Sequence, residues 1–277
     1  MGLVSNPRAV VTGAGSGLGR AFCIELARRG ARILAADIDL ARGEETARMA
    51  RDAGAEVVVE RCDVAKADEV AALADKAEAA FGGTDLVINN AGVGVGGAVG
   101  EVPLTDWEWI MGINLWGVIY GCHTFVPRFL SRGSGHVINV ASAAGLLSAP
   151  QMGPYNVTKA GVVALSETLN VELQGTGVGV TVLCPTFFRT NIARDGRSSA
   201  TAGTPADLEK RMDSAKVQAP EVAAFALDAA AAGKLYALPH ADGRWFWRMK
   251  RASPELFQGP IVAQATRLFA KGAQRNK

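Results

Sequence analysis

Short apolar, β-branched runs alternate with longer stretches of helical periodicity along almost the whole 277-residue chain. The candidate strands are Arg8–Thr12, Arg32–Ala36, Glu56–Arg61, Leu86–Asn89, His136–Ala141, Val178–Cys184 and Lys234–Ala237. Between them, Leu18–Arg29, Ala41–Ala53, Ala67–Phe81, Leu104–Arg132, Pro154–Gln174 and Pro220–Ala232 carry good helix formers in an apolar repeat of about 3.6 residues. Strands such as Val57-Val58-Val59 are apolar on both faces, which is needed only where helices cover a sheet on each side. The pattern therefore predicts an α/β fold, a doubly wound parallel sheet with right-handed crossovers. No linker or repeat divides it. Residues 1–277 read as a single domain, with a core of about 8–240 and a basic C-terminal extension over 243–277.

The first strand ends in Thr12-Gly13-Ala14-Gly15-Ser16-Gly17-Leu18-Gly19. Closely spaced glycines between a strand and a helix let the backbone turn tightly and aim N–H groups at a pyrophosphate, at the positive helix end. Gly13, Ser16, Gly17, Leu18 and Gly19 are the candidate contacts. Asp37 ends the second strand about twenty residues later, where a carboxylate accepts from both adenosine ribose hydroxyls and repels a 2′-phosphate. This favours NAD over NADP. A turn role would also explain Asp37, although Asp39 is the better placed helix cap. Arg20 and Arg42 lie nearby at helix positions usually solvated.

Tyr155 and Lys159 stand four residues apart, thirteen residues after Ser142. On a helix they share a face. An ammonium beside a phenol favours phenolate, and bringing a phenol from about 10 toward neutrality takes about 3–4 kcal/mol. A surface helix would explain this pair taken alone; the glycine turn and Ser142 in one chain make the proton-transfer reading the stronger.

The bulk numbers exclude much. The net charge of +2 argues for no nucleic-acid partner, and 49% hydrophobic residues are ample for a core. Cys23, Cys62, Cys122 and Cys184 have no metal-ligand spacing, nor do His123, His136 and His240. Buried thiols, no apolar run near 18 residues, and no secretory or myristoylation pattern point to a reducing cytoplasm and no metal.

Together these residues resemble the NAD(P)-dependent short-chain dehydrogenase/reductase family, over Arg8 to roughly Ala237. The resemblance rests on Thr12–Gly19, Cys62-Asp63-Val64, Asn89-Asn90-Ala91-Gly92, Asn114, Ser142 and Tyr155-Asn156-Val157-Thr158-Lys159 in the family's order and spacing. It implies a Rossmann sheet of seven strands and the catalytic set Asn114, Ser142, Tyr155 and Lys159. Asn114 would hold a water in a relay to Lys159. Asp63 and Val64 would flank adenine, Asn90 and Ala91 would run along the cofactor, and Gly92 would allow close approach. Pro185 and Thr190 would sit by the nicotinamide, with Thr190 on its carboxamide. Thr186 replaces a customary glycine and would narrow the site. Homodimers or homotetramers would form through the helices over Leu104–Arg132 and Pro154–Gln174.

The family places substrate against segments reading here Val93 and Gly94, Ala144 with Met152, and Phe187 with Phe188. These are apolar or small, so the expected substrate is an apolar secondary alcohol or ketone, aryl or polycyclic in character. Packing of the two phenylalanines onto the body is the competing account. The reading is an NAD-dependent alcohol dehydrogenase, with an NADPH-dependent ketone reductase as alternative and a non-catalytic nucleotide sensor as the more distant one. The extension Arg244-Trp245-Phe246-Trp247-Arg248 mixes bases with aromatics; packing against the body is favoured over contact with a membrane.

Overall fold

The computed structural model describes residues 4–192, 194–198, 210, 212–257 and 259. Seven parallel strands make one sheet in the order β3-β2-β1-β4-β6-β7-β9: β1 Arg8–Thr12, β2 Arg32–Asp37, β3 Glu56–Arg61, β4 Leu86–Asn89, β6 Gly135–Val140, β7 Val178–Leu183 and β9 Tyr236–Ala237. A separate parallel pair joins β5 (Val95–Gly96) to β8 (Arg197–Ser198). Helices α1 (Gly17–Arg28), α2 (Leu40–Asp52) and α8 (Ala219–Ala231) cover one face. Helices α3 (Ala67–Phe81), α5 (Gly117–Arg132) and α7 (Gly153–Glu172) cover the other. Successive residues of β1 divide accordingly: Ala9 and Val11 join the first core, Val10 the second. This is the doubly wound Rossmann arrangement expected from strands apolar on both sides.

Local signals set the ends. Asp39 caps α2, its carboxylate accepting from the N–H groups of Ala41 (3.0 Å) and Arg42 (3.2 Å). Gln218 and Glu221 form a capping box on α8, with Pro220 in its first turn. Gly82 ends α3 in the left-handed conformation.

The single helix expected over Leu104–Arg132 is instead α4 (Leu104–Met111), a π-helical turn over Gly112–Trp116, and α5. Asn114 lies inside that turn, fully buried. Its Oδ1 accepts from the Val93 N–H and its Nδ2 donates to the Val93 carbonyl, each at 2.8 Å. The extra residue of the turn is thus matched by a side chain that clamps the loop after β4. The last strand also falls short of expectation, ordered as strand only at Tyr236–Ala237.

Short α6 (Ala143–Leu147) follows β6, and the extension begins with α9 (Ala241–Ala252). Of its aromatics Trp247 packs on the body, 4.9 Å from the Tyr236 ring and with Arg251 5.1 Å over its own ring, whereas Trp245 stays 56% exposed. Lys250 Nζ donates to the Leu146 carbonyl (2.7 Å). Arg267, Lys271, Arg275 and Lys277 lie outside the described residues. Among the described residues no helix is long and apolar enough to cross a membrane.

A polar seam crosses the second core. Asn89 Nδ2 donates to Asn139 Oδ1 (2.9 Å), Asn139 Nδ2 to Ser166 Oγ (3.0 Å), and Ser166 Oγ to the Val162 carbonyl (2.7 Å). It ties β4 and β6 to α7. Asn139→Ala leaves buried partners unsatisfied, and urea unfolding should show a loss of about 1–3 kcal/mol, against well under 1 for a surface change such as Lys76→Ala.

Candidate functional site

A cleft of about 1830 Å³ opens at the carboxyl ends of the central strands. One ligand pocket usually measures about 300–1,000 Å³, so this cleft has room for a dinucleotide and a second molecule. Gly13, Ser16, Gly17, Leu18 and Asp37 line one end, with Asp63, Val64, Asn90, Ala91 and Gly92 along its floor. Ser142, Tyr155, Lys159, Pro185 and Thr190 follow, and Val93, Gly94, Ala144, Met152, Phe187 and Phe188 line the far end. Two predicted residues do not reach the cleft wall: Gly19 and Asn114.

The glycine turn is shaped by close approaches. Gly13 (φ 64°) and Gly17 (φ 51°) are left-handed. A Cβ on Gly19 would stand 2.0 Å from the Gly13 carbonyl oxygen, so Gly19 serves to seat α1 beneath the turn. Asn90 Nδ2 donates to the carbonyls of Thr12 (2.8 Å) and Gly13 (3.2 Å), while Thr12 Oγ1 accepts from the N–H groups of Asn90 and Ala91. Ser16 starts α1 with no side-chain capping bond and no acid in the first turn, which leaves the helix N-terminus to a ligand anion. This cradle, floored by residues that can bear no Cβ, fits a dinucleotide pyrophosphate.

Asp37 Oδ2 accepts from the Gly15 N–H (2.7 Å) and Oδ1 from the Asp39 N–H (2.9 Å), so the turn role is present, and each oxygen keeps a further lone pair beside the cleft. Arg20 is held by Glu45 at 2.7 Å, and Arg42 by Asp195 at 3.0 Å and Asp39 at 3.3 Å.

Ser142 follows β6 and caps α6, its Oγ accepting from the Ala144 N–H (3.1 Å) and donating to the Pro185 carbonyl (3.5 Å), and it lines the same cleft as Tyr155. Lys159 Nζ sits 5.8 Å from the centre of the Tyr155 ring and donates to the Val140 carbonyl (2.8 Å). A Cβ on Gly92 would lie 3.3 Å from Asn114 Oδ1 and 3.5 Å from Lys159 Nζ, so these groups converge on one point. The Asn114 carboxamide engages Val93 at both ends, with one lone pair on Oδ1 and one hydrogen on Nδ2 remaining.

The phenol also departs from expectation. In the free protein burial raises the Tyr155 pKa, and the Ser142 hydrogen bond opposes that rise only in part. Burial in turn pushes Lys159 down to about 8. A desolvated ammonium is a costly neighbour, and it does not by itself make this phenol acidic.

At the far end Phe188 is 8% exposed and stacks 6.3 Å from His240, whereas Phe187 stays 39% exposed. One phenylalanine packs the segment down, and the other is left at the mouth. Thr186 lines the cleft, where its Oγ1 donates to Asp242 (3.4 Å) and its methyl faces Gly243 of α9. Sequence reasoning missed Trp109, Ile113, Arg197 and Phe246, all of which line the cleft. Their segments come together only in the folded chain: Arg197 stacks over Trp109 at 4.0 Å and pairs with Asp106 at 2.7 Å.

The short chain dehydrogenase family model matches residues 7–201. The chain is a short-chain dehydrogenase/reductase. It is 39% identical, over 93% of its length, to a short-chain dehydrogenase/reductase from Burkholderia phymatum whose crystal structure holds NAD; the match takes in 98% of that chain with a TM-score of 0.86. It is 39% identical over 186 residues to D-threitol dehydrogenase of Mycolicibacterium smegmatis, covering 66% of this chain and 71% of that protein. It is 36% identical over 211 residues to EphD of Mycobacterium tuberculosis, described as an oxidoreductase, covering 75% of this chain but 35% of that protein; the match spans about a third of EphD. The protein thus belongs to an NAD(P)-dependent family of oxidoreductases with a Rossmann fold.

The buried ammonium has a measurable consequence. Lys159 falls from 10.5 in the unfolded chain to about 8 in the folded one, which is roughly 3 kcal/mol against folding wherever both states are protonated. Between these values the unfolded state binds more protons, so stability rises with pH. The melting temperature of the wild type should therefore climb, relative to Lys159→Met, from pH 8 to 10.5. Parallel melting curves across that window would show that no such cost exists.

Proposed function

We propose that this oxidoreductase transfers hydride between NAD and an apolar secondary alcohol or ketone, aryl or polycyclic in character, with Tyr155 as general acid and base. The observation that carries the reading is the meeting of the Tyr155 and Ser142 hydroxyls with the Lys159 ammonium, where the glycine-turn end of the cleft passes into its apolar end. Gly13, Ser16, Gly17 and Leu18 would hold the pyrophosphate, Asp37 the adenosine ribose, and Asp63 and Val64 the adenine. Asn90, Ala91, Gly92, Pro185 and Thr190 would border the nicotinamide half. When oxidised, nicotinamide supplies the hydride acceptor and a positive charge.

Ser142 holds the substrate oxygen, which sets the reacting carbon in place and stabilises developing charge. Tyr155 takes the hydroxyl proton in oxidation and returns it in reduction. Lys159, drawn out of water beneath the ring, favours phenolate and would reach the nicotinamide ribose. Asn114 positions Val93, and with it the loop beside the substrate. Tyr155→Phe should bind NAD with a dissociation constant within about threefold of wild type while kcat falls about 10²–10⁴-fold, followed by nicotinamide absorbance over a panel of alcohols and ketones. Turnover close to wild type would remove Tyr155 from the reaction.

NAD is favoured because Asp37 occupies the ribose end while Arg20 and Arg42 are already engaged by acids. In Asp37→Ser the ratio of kcat/KM for NADP to that for NAD should rise tenfold or more. A ratio that stays put, with NADP already preferred, would favour the NADPH-dependent ketone reductase. A nucleotide sensor without turnover is disfavoured by the retained Ser142, Tyr155 and Lys159. The whole chain acts as one domain in the cytoplasm, where the buried thiols of Cys23, Cys62, Cys122 and Cys184 stay reduced. Homodimers or homotetramers would cover Leu104, Trp116, Val157 and Val171, exposed on and beside α4, α5 and α7 at 78%, 48%, 48% and 65%.

A further inference from the structure

We propose that Gln151 selects substrates bearing a second hydroxyl group, by hydrogen-bonding it at the apolar end of the cleft; the inference rests on the hydride-transfer reading of that site. Gln151 belongs to the loop between α6 and α7 and forms part of the cleft wall with Ala149, Pro150, Met152 and Trp109. It is the amide in an otherwise apolar stretch. Its Oε1 is buried with no hydrogen-bond partner, unlike most buried polar groups in folded proteins.

The backbone around it is fixed from several directions. The Gln151 carbonyl accepts from the Gly97 N–H (2.8 Å), and Gly97 bridges to Met152. Asn156 Nδ2 donates to the Ala149 carbonyl (2.6 Å), and Lys250 Nζ approaches Ser148 Oγ (3.4 Å) from α9. Under these restraints Ser148 (φ 59°) and Gln151 (φ 58°) both hold the left-handed conformation. Such conformations persist in non-glycine residues where surrounding contacts over-determine them, and they gather at ligand sites. The result is a polar side chain on a restrained stem, in the same cleft as Ser142 and Tyr155, lacking its complement.

A hydroxyl is the complement that fits either end of a carboxamide. It donates to Oε1 or, after a half-turn of the amide, accepts from Nε2. An apolar pocket with one placed polar group orients a ligand by that group. A substrate with one hydroxyl for Ser142 and Tyr155 and another for Gln151 would be held at two points, fixing which carbon reacts.

The test uses NAD-loaded Tyr155→Phe protein, which binds alcohols without consuming them, and calorimetry with matched pairs: 1-phenylethanol and 1-phenyl-1,2-ethanediol, cyclohexanol and trans-1,2-cyclohexanediol, 2-octanol and 2,4-octanediol. For at least one pair the diol should bind roughly tenfold tighter or more. Adding Gln151→Met should bring that ratio to near unity, while Gln151→Glu, an acceptor of similar size, should keep it. A melting curve and NAD titration of each variant separate misfolding from lost selection. Absence of diol preference in every pair, its survival in Gln151→Met, or its equal loss in Gln151→Glu would overturn the proposal. A Gln151-dependent binding ratio without turnover of any pair by the wild-type enzyme would instead uphold this inference and count against hydride transfer to such alcohols.

Discussion

All seven strands of the main sheet run in one direction, so every carboxyl end opens onto the same edge. Between β1 and β4 the order reverses: the chain leaves β1 for the face of α1 and leaves β4 for the face of α5. Two connections that diverge cannot fill the space between them, and a crevice forms there without any side chain being dedicated to it. The rest of the site is built around that gap. Thr12 and Asn90 lace its two margins together, which keeps the glycine turn and the loop after β4 in a fixed relation.

Function is placed at the cost of desolvation. The same burial that sets Lys159 against the Val140 carbonyl lowers its pKa, and the burial of Tyr155 raises that of the phenol. Free protein and working complex are therefore different electrostatic objects. Groups held out of water are poor ions alone and become useful ones when a charged ligand joins them.

The sequence exposed those parts of the molecule whose causes are local. Periodicity located α3 to the residue, Asp39 announced the cap of α2, and the glycine spacing marked the cradle. The Tyr155–Lys159 spacing was readable because helical geometry dictates which residues share a face. Where the cause lies in distant segments, the reading failed. A π-turn inserts one residue without altering composition, so Leu104–Arg132 looked unbroken. The β5–β8 pairing joins two-residue strands about a hundred positions apart, and no local pattern signals it. The partners of Thr186, Asp242 and Gly243 of α9, lie more than fifty positions further on, and no local pattern signals them. The direction of the Tyr155 shift depended on how completely the folded chain excludes water, which spacing does not report.

The span shared with the family model ends at residue 201, yet Asp242 and Phe246 of α9 complete the far wall of the cleft. Lys250 of the same helix braces the loop that carries Gln151. The groups proposed for the chemistry thus lie in the span shared with the family model, while part of the wall facing the ligand comes from beyond it. Changes along α9 would therefore reshape the mouth of the cleft while leaving Ser142, Tyr155 and Lys159 in place.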